Sequence, residues 1–154
     1  MSAAADSGLI GKTYPPSKPY EVSREKIREF ADAIGDQNPA FRDVEAAKAL
    51  GHPDVIAPPT FPFVIAFRAS EAAVFDPEVG IDYSRVVHGE QRFVYTRPVR
   101  AGDRLVALVR IDSLRVVAGN RILGTATDLA TDDGEPVVTA YSTIVSRGSA
   151  SGES

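Results

Sequence analysis

The second half of the chain constrains the fold most tightly. From residue 86 onward four long stretches, about 86–98, 104–117, 121–131 and 136–146, read as strands separated only by short turn sequences. Ala101-Gly102-Asp103, Ala118-Gly119-Asn120 and Asp132-Asp133-Gly134 each supply residues that tolerate positive φ at a reversal. Long strands joined by such turns predict an antiparallel meander. Within the second strand Leu105, Ala107, Val109 and Ile111 share one face, and Arg104, Val106, Leu108 and Arg110 share the other. The second face is half apolar, so both sides of the sheet are expected to be partly covered.

The first half has a different period. Ser23 is placed to cap a helix, although Lys26 stands where a capping box has an acid. Ile27, Phe30, Ala31 and Ile34 then follow at helical spacing, and Gly35 stops the run. Asp43 is expected to cap a short second helix through Val44, Ala47 and Leu50 to Gly51. Pro58-Pro59 excludes regular structure, because neither residue donates a backbone hydrogen bond. Thr60 is then expected to cap a third helix, in which Phe61, Val64, Ile65, Phe67 and Ala72 cover most sides, and Pro77 marks its end. A helix apolar over so much of its surface is a buried one. One such helix followed by a sheet predicts an α+β domain in which a curved antiparallel sheet wraps the helix. At 154 residues there is room for one ordinary domain. The expected limits are a flexible N-terminus over 1–10, the domain over 11–146, and a disordered tail over 147–154. The exposed sheet edges predict a dimer.

Composition excludes several chemistries. There is no cysteine, hence no disulfide, thiolate nucleophile or cysteine-bound zinc. The two histidines, His52 and His88, lie far apart and show no metal-ligand spacing. A net charge of −4 with interspersed signs argues against nucleic-acid binding. Residues 1–7 lack the basic start and apolar core of a signal peptide, so a cytoplasmic protein is expected.

The stretch Gly35-Asp36-Gln37-Asn38-Pro39-Ala40-Phe41-Arg42-Asp43 carries the most chemical content. Asp36 follows a helix-ending glycine and stands beside an amide and a proline. Such a carboxylate either works as a general acid/base in a partly dry cleft or satisfies loop backbone in an Asx turn. From the residues alone the turn is the stronger reading. Asp43 is explained as a helix cap. His52 reads as a turn residue, and His88 as a strand-edge side chain or a proton carrier. Arg92, Arg97, Arg100, Arg104 and Arg110 read as a solvated face, with a patch for the phosphates of a CoA or carrier-protein thioester as the second reading.

The same stretch resembles the hydratase motif of MaoC-like hot-dog (R)-specific enoyl hydratases and 3-hydroxyacyl-thioester dehydratases. In that motif Gly-Asp-x-Asn-Pro is followed by an aliphatic residue and then histidine. Glu45-Ala46-Ala47-Lys48-Ala49-Leu50-Gly51, Ala57-Pro58-Pro59-Thr60-Phe61, His88-Gly89-Glu90-Gln91-Arg92-Phe93 and Arg97-Pro98-Val99-Arg100-Ala101-Gly102-Asp103 extend the resemblance to the N-terminal-type MaoC dehydratase domain, over about 11–145. It implies a single hot-dog domain acting on acyl thioesters of CoA or acyl carrier protein, with no cofactor. In the catalytic members the aspartate and histidine move a proton on water or the 3-hydroxyl, while N–H groups at the start of the central helix hold the thioester carbonyl. Asp36 and Asn38 match the catalytic loop, and Pro59, Thr60 and Phe61 match the mouth of the central helix, where substrate binds. Phe41 stands in place of the histidine. It can move no proton, although its ring can line an acyl tunnel. The resemblance is therefore to the small non-catalytic subunit of actinobacterial (3R)-hydroxyacyl-ACP dehydratases, which pairs with a catalytic hot-dog chain. The alternatives are a self-sufficient homodimeric hydratase using Asp36 with His88, and an acyl-thioester-binding or thioesterase-like protein in which Asp36 activates water.

Overall fold

The computed structural model describes residues 3–148, with side chains from Asp6 onward. The chain runs α1 (Ala3–Leu9), β1 (Tyr20–Glu21), α2 (Arg24–Ala33), a 3₁₀ turn (Pro39–Phe41), α3 (Val44–Ala49), α4 (Pro62–Val74), a second 3₁₀ turn (Tyr83–Arg85), β2 (Val86–Tyr95), β3 (Arg104–Val117), β4 (Asn120–Thr131) and β5 (Pro136–Ser146). One curled antiparallel sheet has the order β1-β3-β4-β5-β2, and α4 packs against β3, β4 and β5. This is the single hot-dog α+β domain expected from the helix and strand pattern. No helix among the described residues is long and apolar enough to cross a membrane.

The alternation in β3 is realised. Leu105, Ala107, Val109 and Ile111 are buried, while Arg104 and Leu108 on the other face are exposed. The main core joins Leu105 and Ala107 to Ile27 and Ala31 of α2, Phe61 and Ile65 at the start of α4, and Leu129, Val137 and Val138 of the sheet. A smaller cluster of Val74, Val79, Ile111, Leu114 and Leu123 closes the far end.

Two expectations about connectivity are corrected. The four strands do not form one meander: β3, β4 and β5 do, but β2 pairs with β5 at the opposite edge. Between β2 and β3 the chain makes no hairpin. The N–H groups of Thr96 and Arg97 donate to the Val137 carbonyl, Ala57 N–H donates to Val99, and Gly102 N–H donates to Val22. Ala101-Gly102-Asp103 therefore turns the chain into β3 without joining neighbours. The second correction is at the N-terminus. Residues 3–9, placed in a flexible segment above, form α1, whose buried Asp6 accepts from Arg121 at 2.6 Å. Residues 11–17 then run along the edge of β3, with Gly11, Tyr14 and Ser17 N–H donating to Ile111, Val109 and Ala107. Of the expected tail, residues 149–154 lie outside the described residues.

Ser23 and Asp43 cap α2 and α3, as their positions predict. Thr60 caps nothing. The N-cap of α4 is Phe61, without a side-chain hydrogen bond, and Pro62 follows it.

Candidate functional site

The loop after α2 is a chain of local hydrogen bonds. Gly35 takes a φ of 71°, which lets Asp36 N–H reach back to the Ala31 carbonyl and close the helix end. Asp36 Oδ1 accepts from Asn38 N–H at 3.0 Å, and Asn38 Oδ1 accepts from Ala40 N–H at 3.0 Å. Pro39, with its fixed φ, starts the 3₁₀ turn that drives Ala40 and Phe41 into the core. Arg42 fastens the loop from outside by donating to the Asp36 carbonyl and pairing with Asp32. The Asx-turn geometry of Asp36 is thus present in the folded chain.

Beside this loop lies a mostly apolar cleft of about 440 Å³. Asn38 and Phe41 form one wall, Ile56, Ala57 and Pro59 a second, and residues 95–98 a third. Tyr95 ties the second wall to the third by donating its hydroxyl to the Pro59 carbonyl at 2.6 Å. Desolvation pushes the Tyr95 phenol above its usual value, so it stays a neutral donor. Arg97 at the rim is not a free cation. It donates to both Asp103 oxygens at 2.9 Å and to Glu135 at 2.7 Å, and these pairs raise its pKa further.

The residues singled out in the sequence separate into three groups. Asn38, Phe41 and Pro59 meet in the cleft. Asp36 stands behind it on the loop, and exposed Thr60 lies outside its lining. Phe61, counted above among the substrate-binding residues, is fully buried and packs edge-on against Tyr20 and Phe30. His88 lies apart on β2, with Nε2 3.2 Å from Gln91 Oε1 and its ring 5.7 Å from that of Phe63. No contact joins His88 to Asp36. His52 sits in the turn after α3, its N–H bonded to the Ala47 carbonyl. Tyr95 escaped the sequence reading. The available signal was a tyrosine directly ahead of Thr96-Arg97-Pro98, where an edge strand breaks.

The arginine patch does not assemble either. Arg92 lies over the Tyr141 ring at 4.0 Å, Arg110 pairs with Asp128 at 2.8 Å, and Arg104 pairs with Asp132 and Glu21. The start of α4 is equally committed. The N–H groups of Phe61, Phe63 and Val64 bond the carbonyls of Pro58, Thr60 and Phe61 at 2.9, 3.1 and 3.0 Å, and Pro62 has no N–H to offer.

Comparison with known proteins agrees with the fold. The family described as "FAS1-like, dehydratase domain region" matches residues 8–140. A UPF0336 protein of Streptomyces coelicolor is 58% identical over 144 residues, covering 94% of this chain and 96% of that protein. The HadBC (3R-hydroxyacyl-ACP dehydratase) complex of Mycobacterium tuberculosis contains a chain with 36% identity and a TM-score of 0.79, over 89% of this chain and 96% of that one. A MaoC-like dehydratase superposes with a TM-score of 0.85 at 32% identity, over 93% of this chain and 43% of that one.

Proposed function

Because the chain belongs to the FAS1-like dehydratase family, we propose that it is the acyl-binding subunit of a (3R)-hydroxyacyl-thioester dehydratase, completed by a second hot-dog chain that carries the proton-moving histidine. One observation carries this reading. The loop that resembles a hydratase motif builds a 440 Å³ apolar cleft, and the side chain lining it at the histidine position is Phe41.

Dehydration removes a C2 proton and the 3-hydroxyl as water, leaving a C2–C3 double bond. It needs a group that takes and returns a proton, together with donors for the thioester oxygen. In this chain Phe41 supplies neither, Asp36 has no histidine beside it to share the proton transfer, and the first turn of α4 has its N–H groups bonded. What the chain offers is apolar contact for an acyl tail, with Asn38 and Tyr95 as polar edges. The partner is supported by the open edge of β2, where Val87, Val94 and Tyr95 are exposed, and by the related HadBC assembly. The substrate is an acyl thioester of CoA or of acyl carrier protein, and no cofactor takes part.

The test is hydration of crotonyl-CoA and longer enoyl thioesters by this chain alone and by this chain mixed with a hot-dog chain bearing Gly-Asp-x-Asn-Pro-x-His. Turnover is expected only from the mixture. Turnover by the single chain that disappears in Asp36→Ala or His88→Ala would overturn the reading.

A further inference from the structure

A second hollow, which shares no lining residue with the cleft, lies beside α4. Residues 17–21 and the start of α2 form one side of it, and the Val64–Ile65–Arg68–Ala69 face of α4 forms the other. It consists of two contiguous parts of about 340 and 640 Å³ that share Pro19, Tyr20, Val64 and Arg68. Both volumes lie in the range of small-molecule sites.

Its charge departs from that of the whole molecule. The chain carries −4, yet this hollow is lined by Lys18, Lys26, Arg68 and Arg104 against the single acid Glu21. Two of the cations are engaged elsewhere: Lys26 pairs with Glu29, and Arg104 with Glu21 and Asp132. Lys18 and Arg68 make no ion pair among the described residues. Arg68 is the one basic residue of α4, a helix otherwise made almost wholly of apolar and small residues. Lys18 and Arg68 thus line the same hollow with no acid bound to either, and a multiply charged anion can be attracted to both. Between the cations the floor is apolar, formed by Tyr20, Val64 and Ile65.

We propose that this groove binds a phosphate-bearing organic molecule of about nucleotide size, its phosphates held by Lys18 and Arg68 and its body laid on Tyr20 and Val64. A guanidinium with an ammonium group on the same hollow suits phosphate, whose several oxygens accept from both at once. The site is separate from the apolar cleft and does not depend on the subunit reading.

The test is calorimetric titration of the intact chain with adenosine 3′,5′-bisphosphate, adenosine and inorganic pyrophosphate. The bisphosphate is expected to bind saturably and more weakly as salt rises, because the ionic part is screened. It should lose about tenfold in affinity in the Lys18→Gln/Arg68→Gln double variant. Both residues are exposed, so the variant keeps its melting temperature, and amide shifts on titration should centre on Tyr20 and Val64. Adenosine alone is expected not to bind. Absence of saturable bisphosphate binding at millimolar concentration, or equal affinity in the variant, overturns the site. Pyrophosphate binding as tightly as the bisphosphate overturns the role given to the apolar floor. None of these outcomes touches the dehydratase reading, which is tested by turnover with the partner chain.

Discussion

At Phe41 a ring that is 4% exposed stands where a proton-carrying imidazole would need both substrate and a route for its proton. Replacing it restores a residue type but not a site. In Phe41→His the imidazole would enter the apolar cluster formed with Val55, Ala57 and Phe61. Burial disfavours its charged form, and the lost apolar contact with a polar ring in its place costs roughly 2 kcal/mol. Asp36 remains tied to Asn38 N–H, and Pro62 still lacks a donor. The expected outcome is a lower urea midpoint and no gain in crotonyl-CoA hydration by the single chain. A tenfold gain in rate over the wild type would mean that the loop lacked the histidine alone. Much of this site was legible residue by residue. The Asx turn of Asp36 and the cap at Asp43 follow from side chains acting within two positions of themselves. Tyr95 was not legible, because its partner is the Pro59 carbonyl, 36 positions away.

The same contrast between near and distant partners separates the elements. The β3–β4 and β4–β5 hairpins could be read from their turns, since each turn fixes its own pairing. The place of β2 could not, because a strand leaving Thr96-Arg97-Pro98 is directed by bonds to Val137 and Val99 rather than by a turn of its own. The N-terminal strap was hidden for a similar reason. Its hold on the domain is a distant cluster in which Lys12 and the Tyr14 hydroxyl both donate to Asp76 Oδ2 at 2.7 Å, just beyond α4. The Lys12 ammonium, then the Tyr14 hydroxyl, lower the Asp76 carboxyl to about 2 from its ordinary 3.8. A depressed carboxyl stabilises the fold above its unfolded value. That contribution fades as pH drops from about 4 and is gone below about 2. Melting temperatures of wild type and Asp76→Asn should therefore differ at pH 5 and converge by pH 2. A constant gap across that range would remove Asp76 from the acid response.

At the scale of the whole molecule, the two borders of the sheet are treated differently. On one, β3 is covered by two-residue β1 and by the strap over residues 11–17. On the other, ten-residue β2 pairs with β5 and has no further strand beside it among the described residues. A sheet with one open edge can add one partner and then has none left, which favours a closed pair over an open-ended array. The surface beside that edge is suited to such contact. Phe67 of α4 is 46% exposed, and Phe75 and Tyr83 pack at 4.9 Å while each stays more than half exposed. Exposed aromatic groups next to a free strand edge are costly to leave in water and become favourable once a second chain covers them. Placing charge there should break the pair without unfolding the subunit, because Phe67 and Val87 lie outside the buried core and each exposes close to half of its surface. The double variant Phe67→Glu/Val87→Lys is thus expected to melt within a few degrees of wild type. In sedimentation velocity with the histidine-bearing hot-dog chain it should run as separate species where the wild type co-sediments. Undiminished co-sedimentation of the variant would move the contact away from the β2 edge, and the apolar cleft at its end would then have to function without a neighbouring chain.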